Sequence, residues 1–120
     1  MTDHDWVKEA SAAIVVCDSE GVILEVNDRY LEFSQSETAQ ERKRDDLIGM
    51  NVIDCHSKST QPKVNNLLKS GKIHTSMIER NGTRYLIYYA PWYTRGEYSG
   101  HVELILQIPP DYDHLFREPA

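Results

Sequence analysis

Hydrophobic and polar positions along the chain fall into short blocks. Asp3 to Ala10 predicts a short amphipathic helix, with Trp6, Val7 and Ala10 on one side. Ala12 to Cys17 is a nearly unbroken apolar run rich in β-branched residues, which predicts a strand buried on both faces. Asp18-Ser19-Glu20-Gly21 is a turn signal, and Val22 to Val26 predicts a second strand, so the pair reads as a hairpin. Asn27-Asp28 has the chemistry of a helix N-cap, with Tyr30, Leu31 and Phe33 as the apolar stripe behind it. From Ser34 to Arg44 the only apolar residue is Ala39, which predicts an exposed loop or an irregular helical insert. Asp45 to Gly49 reads as one helical turn closed by glycine.

The stretch from Gly49 to Ser57 changes character midway. Met50, Val52 and Ile53 take the backbone into the core, and Asp54, Cys55, His56 and Ser57 follow with side chains that can bind. Ser57 to Ser70 is the clearest helix, with Ser59 or Thr60 to cap it, Pro62 in its first turn and Val64, Leu67 and Leu68 at helical spacing. Gly71 is placed to end it. Lys72 to Arg80 and Thr83 to Tyr93 predict strands joined at Asn81-Gly82, a strong hairpin signal. Arg95 to Gly100 reads as a turn, and His101 to Ile108 as a last strand stopped by Pro109-Pro110. In the tail from Asp111 to Ala120, Tyr112, Leu115 and Phe116 offer a small apolar anchor. Two strands, then helices, then three strands imply the α+β class, an antiparallel sheet with helices packed on one face.

Composition narrows the functional classes. The chain has 120 residues, enough for one domain and one core without staples. No apolar run approaches the roughly 20 residues of a membrane span, and the acidic start is no secretory signal. The expectation is therefore a cytoplasmic protein with no membrane contact. A net charge of −6 argues against nucleic acid, because Arg42-Lys43-Arg44 is flanked by Glu41, Asp45 and Asp46. Cys17 and Cys55 read as free thiols, Cys17 in the core.

The order of these elements and four sequence blocks resemble a PAS domain. The blocks are Ala13 to Asn27, Asp46 to His56, Asn81 to Tyr89, and Gly96 to Gly100 with the strand after it. The resemblance implies residues 1–11 as an N-terminal helix or cap, 12–108 as the PAS domain and 109–120 as a tail. It also implies a five-stranded antiparallel sheet curved around a small pocket, used to sense ligands or to join proteins. The Asp54-Cys55-His56 segment is similar to a PAS branch in which Asp-(Cys or Phe)-His-Pro is common and some members bind heme. That likeness implies His56 as a heme iron ligand. Ser57 departs from the pattern, standing where the branch usually has proline.

The candidate ligand-binding set is His56, Cys55, Tyr30, Met77 and Tyr89. A neutral imidazole at a loop-to-helix junction can bind iron or a polar ligand, or simply cap the helix. Met77 is a second axial candidate or core filler. Tyr85, Tyr89 and Trp92 compete with any ligand for the interior. Cys55 beside His56 gives too few ligands for zinc, which takes four. His4, His74, His101 and His114 show no metal spacing and read as surface residues. No phosphate loop, Gly-Xaa-Ser-Xaa-Gly or paired carboxylates appear, so an enzyme is not expected. Tyrosines at alternating positions put aromatics on both faces of the sheet, and Trp6 with Leu86 is expected to help cover the outer one in a homodimer. The reading is a ligand-sensing signalling module that shifts between two packings and acts on a separate output protein. The alternative is an interaction module with a filled pocket and no ligand.

Overall fold

The computed structural model describes residues 5–38 and 43–119. Five strands form one antiparallel sheet: β1 (Ala13–Asp18), β2 (Ile23–Val26), β3 (His74–Arg80), β4 (Thr83–Thr94) and β5 (Glu97–Ile108). Their spatial order is β2-β1-β5-β4-β3, so the last strand in sequence sits at the centre beside the first. Among the described residues, four α-helices, α1 (Asp5–Lys8), α2 (Asp28–Thr38), α3 (Arg44–Leu47) and α4 (Gln61–Ser70), and a 3₁₀ turn at Val52–Cys55 accompany the sheet. This is the expected α+β arrangement.

Turn chemistry sets the hairpins. Asn81 and Gly82 both take positive φ, 53° and 79°, as a two-residue turn between right-twisted strands requires. Arg95 and Gly96 repeat this device at 51° and 83°. The turn expected over Arg95 to Gly100 is therefore only two residues long, and β5 starts at Glu97 rather than at His101. This lengthens the central strand and brings Gly100 opposite Asp18 of β1. A Cβ at Gly100 would lie 1.9 Å from the Cys17 carbonyl oxygen, so only glycine fits.

Asn27 joins three parts of the domain. Its side chain is fully buried and uses its whole hydrogen-bonding capacity. Its Nδ2 donates to the carbonyls of Val7 and Ala12, and its Oδ1 accepts from the backbone of Ile14 and, as the cap of α2, of Tyr30. The polar segment after Ser34 is partly a correction: α2 runs on to Thr38, with Ser34 buried. Ala39 lies outside the described residues, as does His4. The helix expected from Ser57 begins at Gln61 instead. The carbonyl of Ser57 accepts from the backbone of Thr60 and Gln61, and its hydroxyl bonds those of Ser59 and Thr60, so the residues before Gln61 form a polar turn. Gly71 closes α4 at φ 62°. The tail does not anchor: Tyr112, Leu115 and Phe116 are exposed, Phe116 at 91%.

The core lies between the sheet and the helices. Val15, Ile23, Val26 and Leu47 are buried there, with Tyr30, Leu31, Val52 and Cys55 packed against them. Strand register fixes the two faces. Directly opposed residues share a face, so Cys17, His101, Glu103, Ile105, Ile87 and Tyr89 face the helices. Ile14, Val16, Val102, Leu104, Leu106, Leu86, Tyr88 and Met77 face the other way.

Candidate functional site

The helix-covered face holds a cavity of ≈ 20 Å³ between β1, β4, β5 and the 3₁₀ turn. Val15, Ile23 and Val52 supply apolar wall, and Cys17, Tyr89, His101 and Glu103 supply polar wall. Tyr30, Cys55 and His56 complete the lining from the helical side.

Three aromatic rings from β4 and β5 set its chemistry. His101 is 1% exposed and stacks on Tyr89, with ring centres 4.5 Å apart. The Tyr98 ring meets it edge-on, and the Tyr98 oxygen lies 2.7 Å from His101 Nδ1. That oxygen also lies 2.7 Å from the Leu68 carbonyl, to which it donates. A hydroxyl has one hydrogen and a carbonyl can only accept, so the Tyr98 oxygen must accept from His101 Nδ1–H. The neutral imidazole is thereby fixed as its Nδ1–H tautomer, and Nε2 presents a lone pair. No partner reaches this buried Nε2.

Burial pushes the His101 pKa below its ordinary 6.5, with the Lys72 backbone acting the other way, so the ring is neutral at pH 7. Tyr89 is 8% exposed, and its hydroxyl is buried without a hydrogen-bond partner. It lies beside the Cys17 thiol, a weak hydrogen-bonding group that does not satisfy the hydroxyl. Burial first, then the neighbouring Cys17 and Glu103, hold the Tyr89 phenol well above its ordinary range. Burial likewise pushes the Cys17 thiol up, so it is a poor nucleophile.

Four of the five residues singled out in the sequence, Tyr30, Cys55, His56 and Tyr89, converge on this cavity. Met77 does not. Its cross-strand partner is Leu86, which puts it on the opposite face, where it is 52% exposed. His56 is an exposed residue at the end of the 3₁₀ turn, and its carbonyl accepts from Gln61 Nε2. Cys17 and Cys55 are not linked to each other. Heme does not fit these residues: ligand pockets run to roughly 300 Å³ or more, this cavity is ≈ 20 Å³, and the second axial candidate faces away. Among the described residues no group of three or more His, Cys, Asp or Glu side chains is placed to hold a metal.

Sequence reasoning missed His101, read as a surface residue, together with Tyr98 and Glu103. Alternation alone could not have found them: Val102, Leu104 and Leu106 alternate with His101, Glu103 and Ile105, and only the strand register turns the His101 set inward. Trp92 was expected to fill the interior, but its indole reaches across Gly100 and donates to the Cys17 carbonyl at 2.9 Å. Tyr85 lines a separate groove of ≈ 250 Å³ with Arg29, Phe33, Arg80 and Gln107. There the Arg80 guanidinium sits 4.3 Å from the Phe33 ring centre and 5.5 Å from that of Tyr85, a cation–π arrangement.

Solved structures share this architecture. The Aer2 receptor of Vibrio cholerae, described as a dual PAS-heme oxygen sensor, aligns with 82% of this chain and 96% of its own at 19% identity and TM-score 0.60. The PAS domain of Bordetella pertussis BvgS aligns over 88% of this chain and 82% of its own at 16% identity and TM-score 0.66. A PAS domain from Colwellia psychrerythraea covers 88% and 92%, at 20% identity and TM-score 0.60.

The chain has the PAS fold. At these identities the likeness is one of fold, and a fold hosts many functions. No protein-family model and no curated protein sequence matches the chain. In its inner wall the buried Tyr89 and His101 rings form a cluster with the half-buried Tyr98. Among the described residues no helix of it is long and apolar enough to cross a membrane.

Proposed function

We propose that this PAS-fold domain is a non-catalytic signalling module that pairs with a second copy of itself through the outer face of its sheet. The observation that carries the reading is the composition of that face. Cross-strand rows Met77-Leu86-Leu106, Thr75-Tyr88-Leu104-Ile14 and Ala90-Val102-Val16 lie side by side and are apolar but for the hydroxyls of Thr75 and Tyr88. The register sets Glu79 and Arg84 at one end of these rows and Glu25, ion-paired with Arg44, at the other. An apolar centre with a charged rim is the anatomy of a protein interface. Trp6, expected to help cover this face, is 72% exposed and free for a partner. A two-fold pairing would bring the Leu86–Leu104 region of each copy onto the same region of the other. The signal would then pass to a separate output protein.

Sedimentation at micromolar concentration tests this. The wild-type chain is expected to run as a dimer. Leu86→Asp is expected to run as a monomer with an unchanged circular dichroism spectrum, its dimer Kd weakened about 30-fold or more, as for a central interface residue. A wild-type monomer would sink the proposal.

Ligand sensing is a second reading, favoured by the convergence of Tyr30, Cys55, His56 and Tyr89 on one cavity. On this reading an occupant of the cavity shifts the population between two packings of sheet and helices. The cavity's size keeps heme out of it.

A further inference from the structure

We infer that the inner cavity is a binding site for one neutral, water-sized molecule that donates a hydrogen to Nε2 of His101 and meets the hydroxyl of Tyr89. This goes beyond the pairing of outer faces and does not depend on it.

Size comes first. A cavity of ≈ 20 Å³ is about what one water needs, roughly 10–15 Å³ on the same measure. Polarity comes second. Buried polar atoms in folded proteins nearly always have partners, yet the Tyr89 hydroxyl and His101 Nε2 have none within the protein. Both belong to side chains that line this cavity and are more than nine-tenths buried. Two such atoms on neighbouring, stacked rings can be satisfied together by one small molecule between them and the cavity wall.

Hydrogen bookkeeping then selects the class of ligand. Tyr98 spends its one hydrogen on Leu68 and takes the Nδ1 hydrogen of His101, so Nε2 can only accept. The occupant must therefore be a donor. The Tyr89 hydroxyl both donates and accepts, so it constrains the occupant less. Diatomic gases and hydrocarbons carry no hydrogen to give and would leave Nε2 unpaired. Anions would face the Nε2 lone pair and the Glu103 carboxylate that shares the lining. Water and the smallest hydroxyl compounds meet every requirement. The role of Tyr98 is positional: it sets the tautomer that makes the site selective.

The test is a long-range proton–nitrogen spectrum of the ¹⁵N-labelled full chain, with methanol, water and xenon as probes. His101 is expected as the Nδ1–H tautomer, with Nε2 shifted by an accepted hydrogen bond. An exchange-resistant water cross-peak to the His101 and Tyr89 rings would identify solvent water as the occupant. Saturable methanol shifts confined to these rings would identify a small hydroxyl compound. Tyr98→Phe is expected to lose the tautomer preference and both probe signals while keeping its strand resonances. Should that variant not fold, Tyr89→Phe gives the second arm, keeping the tautomer and loosening methanol or water contact about tenfold, the worth of one hydrogen bond. An Nε2–H tautomer, or xenon entering a cavity that shows neither water nor methanol, would overturn the inference.

Discussion

The sheet face that the helices cover carries Cys17, Tyr89, His101 and Glu103, whereas the face they leave open carries Ile14, Leu86, Leu104 and Leu106. In a free-standing domain the usual arrangement is the reverse, with apolar side chains under the helices and polar ones outside. The inner face tolerates its polar groups because Tyr98 and the backbone of α4 tie down one side of the His101 ring. Nothing comparable offsets the outer leucines among the described residues, and a partner is the simplest means of removing them from water. Under the functions proposed, the two faces do different work: one takes a small polar occupant, the other a second copy of the chain.

The largest effect is expected where the two faces share backbone. Gly100→Ala would drive a Cβ into the Cys17 carbonyl and force β5 away from β1. Its expected cost is about 3 kcal/mol or more, read from denaturant midpoints, and it should damage the cavity and the outer face together. A variant as stable as the wild type would mean that the central strands are less tightly registered than described.

A smaller effect, confined to the inner face, is expected from pH. The His101 pKa is depressed on folding, so below its ordinary 6.5 the unfolded chain binds more protons than the folded one. Stability is then complete near neutrality and falls as pH drops toward the lower folded value. Cys17 and Tyr89 are raised from 9.0 and 10.0. Above those values the unfolded chain loses protons that the folded chain keeps, so stability falls again. Thermal melts across this range, run on Leu86→Asp to remove pairing, should show both limbs. A flat profile on the acid side between about pH 7 and 5.5 would show that His101 is not held neutral by the inner face.

The smallest effect is expected at His56. It is an exposed residue following the 3₁₀ turn, its backbone bonded to Ile53 and Gln61. His56→Ala should change stability by about 0.5 kcal/mol or less and leave the inner-face resonances of His101 in place. A large loss would return His56 to the centre of the site.

These contrasts also explain what could be read without coordinates. The β1–β2 hairpin, Asn81-Gly82 and the glycine after α4 were legible because turn chemistry is local. The cavity was half legible: Cys55 and His56 follow the last apolar residues before α4, and Tyr89 lies on the face of β4 that turns inward. His101 was not. Val102, Leu104 and Leu106 alternate with His101 and Glu103, and simple patterning assigns the apolar set to the core. The fold does the opposite, and only the pairing of His101 with Cys17 reveals it. Met77 failed for a related reason. A methionine in a strand reads as interior until register pairs it with Leu86.

The hydrogen bond from Trp92 to the Cys17 carbonyl has a practical consequence. The chain has only two tryptophans: Trp92, half-buried and bonded to the backbone of a cavity-lining residue, and Trp6, largely in solvent. Iodide should quench the emission of Trp6 and spare that of Trp92. The surviving fluorescence then becomes a label-free gauge of the central strands, able to follow filling or emptying of the interior in real time.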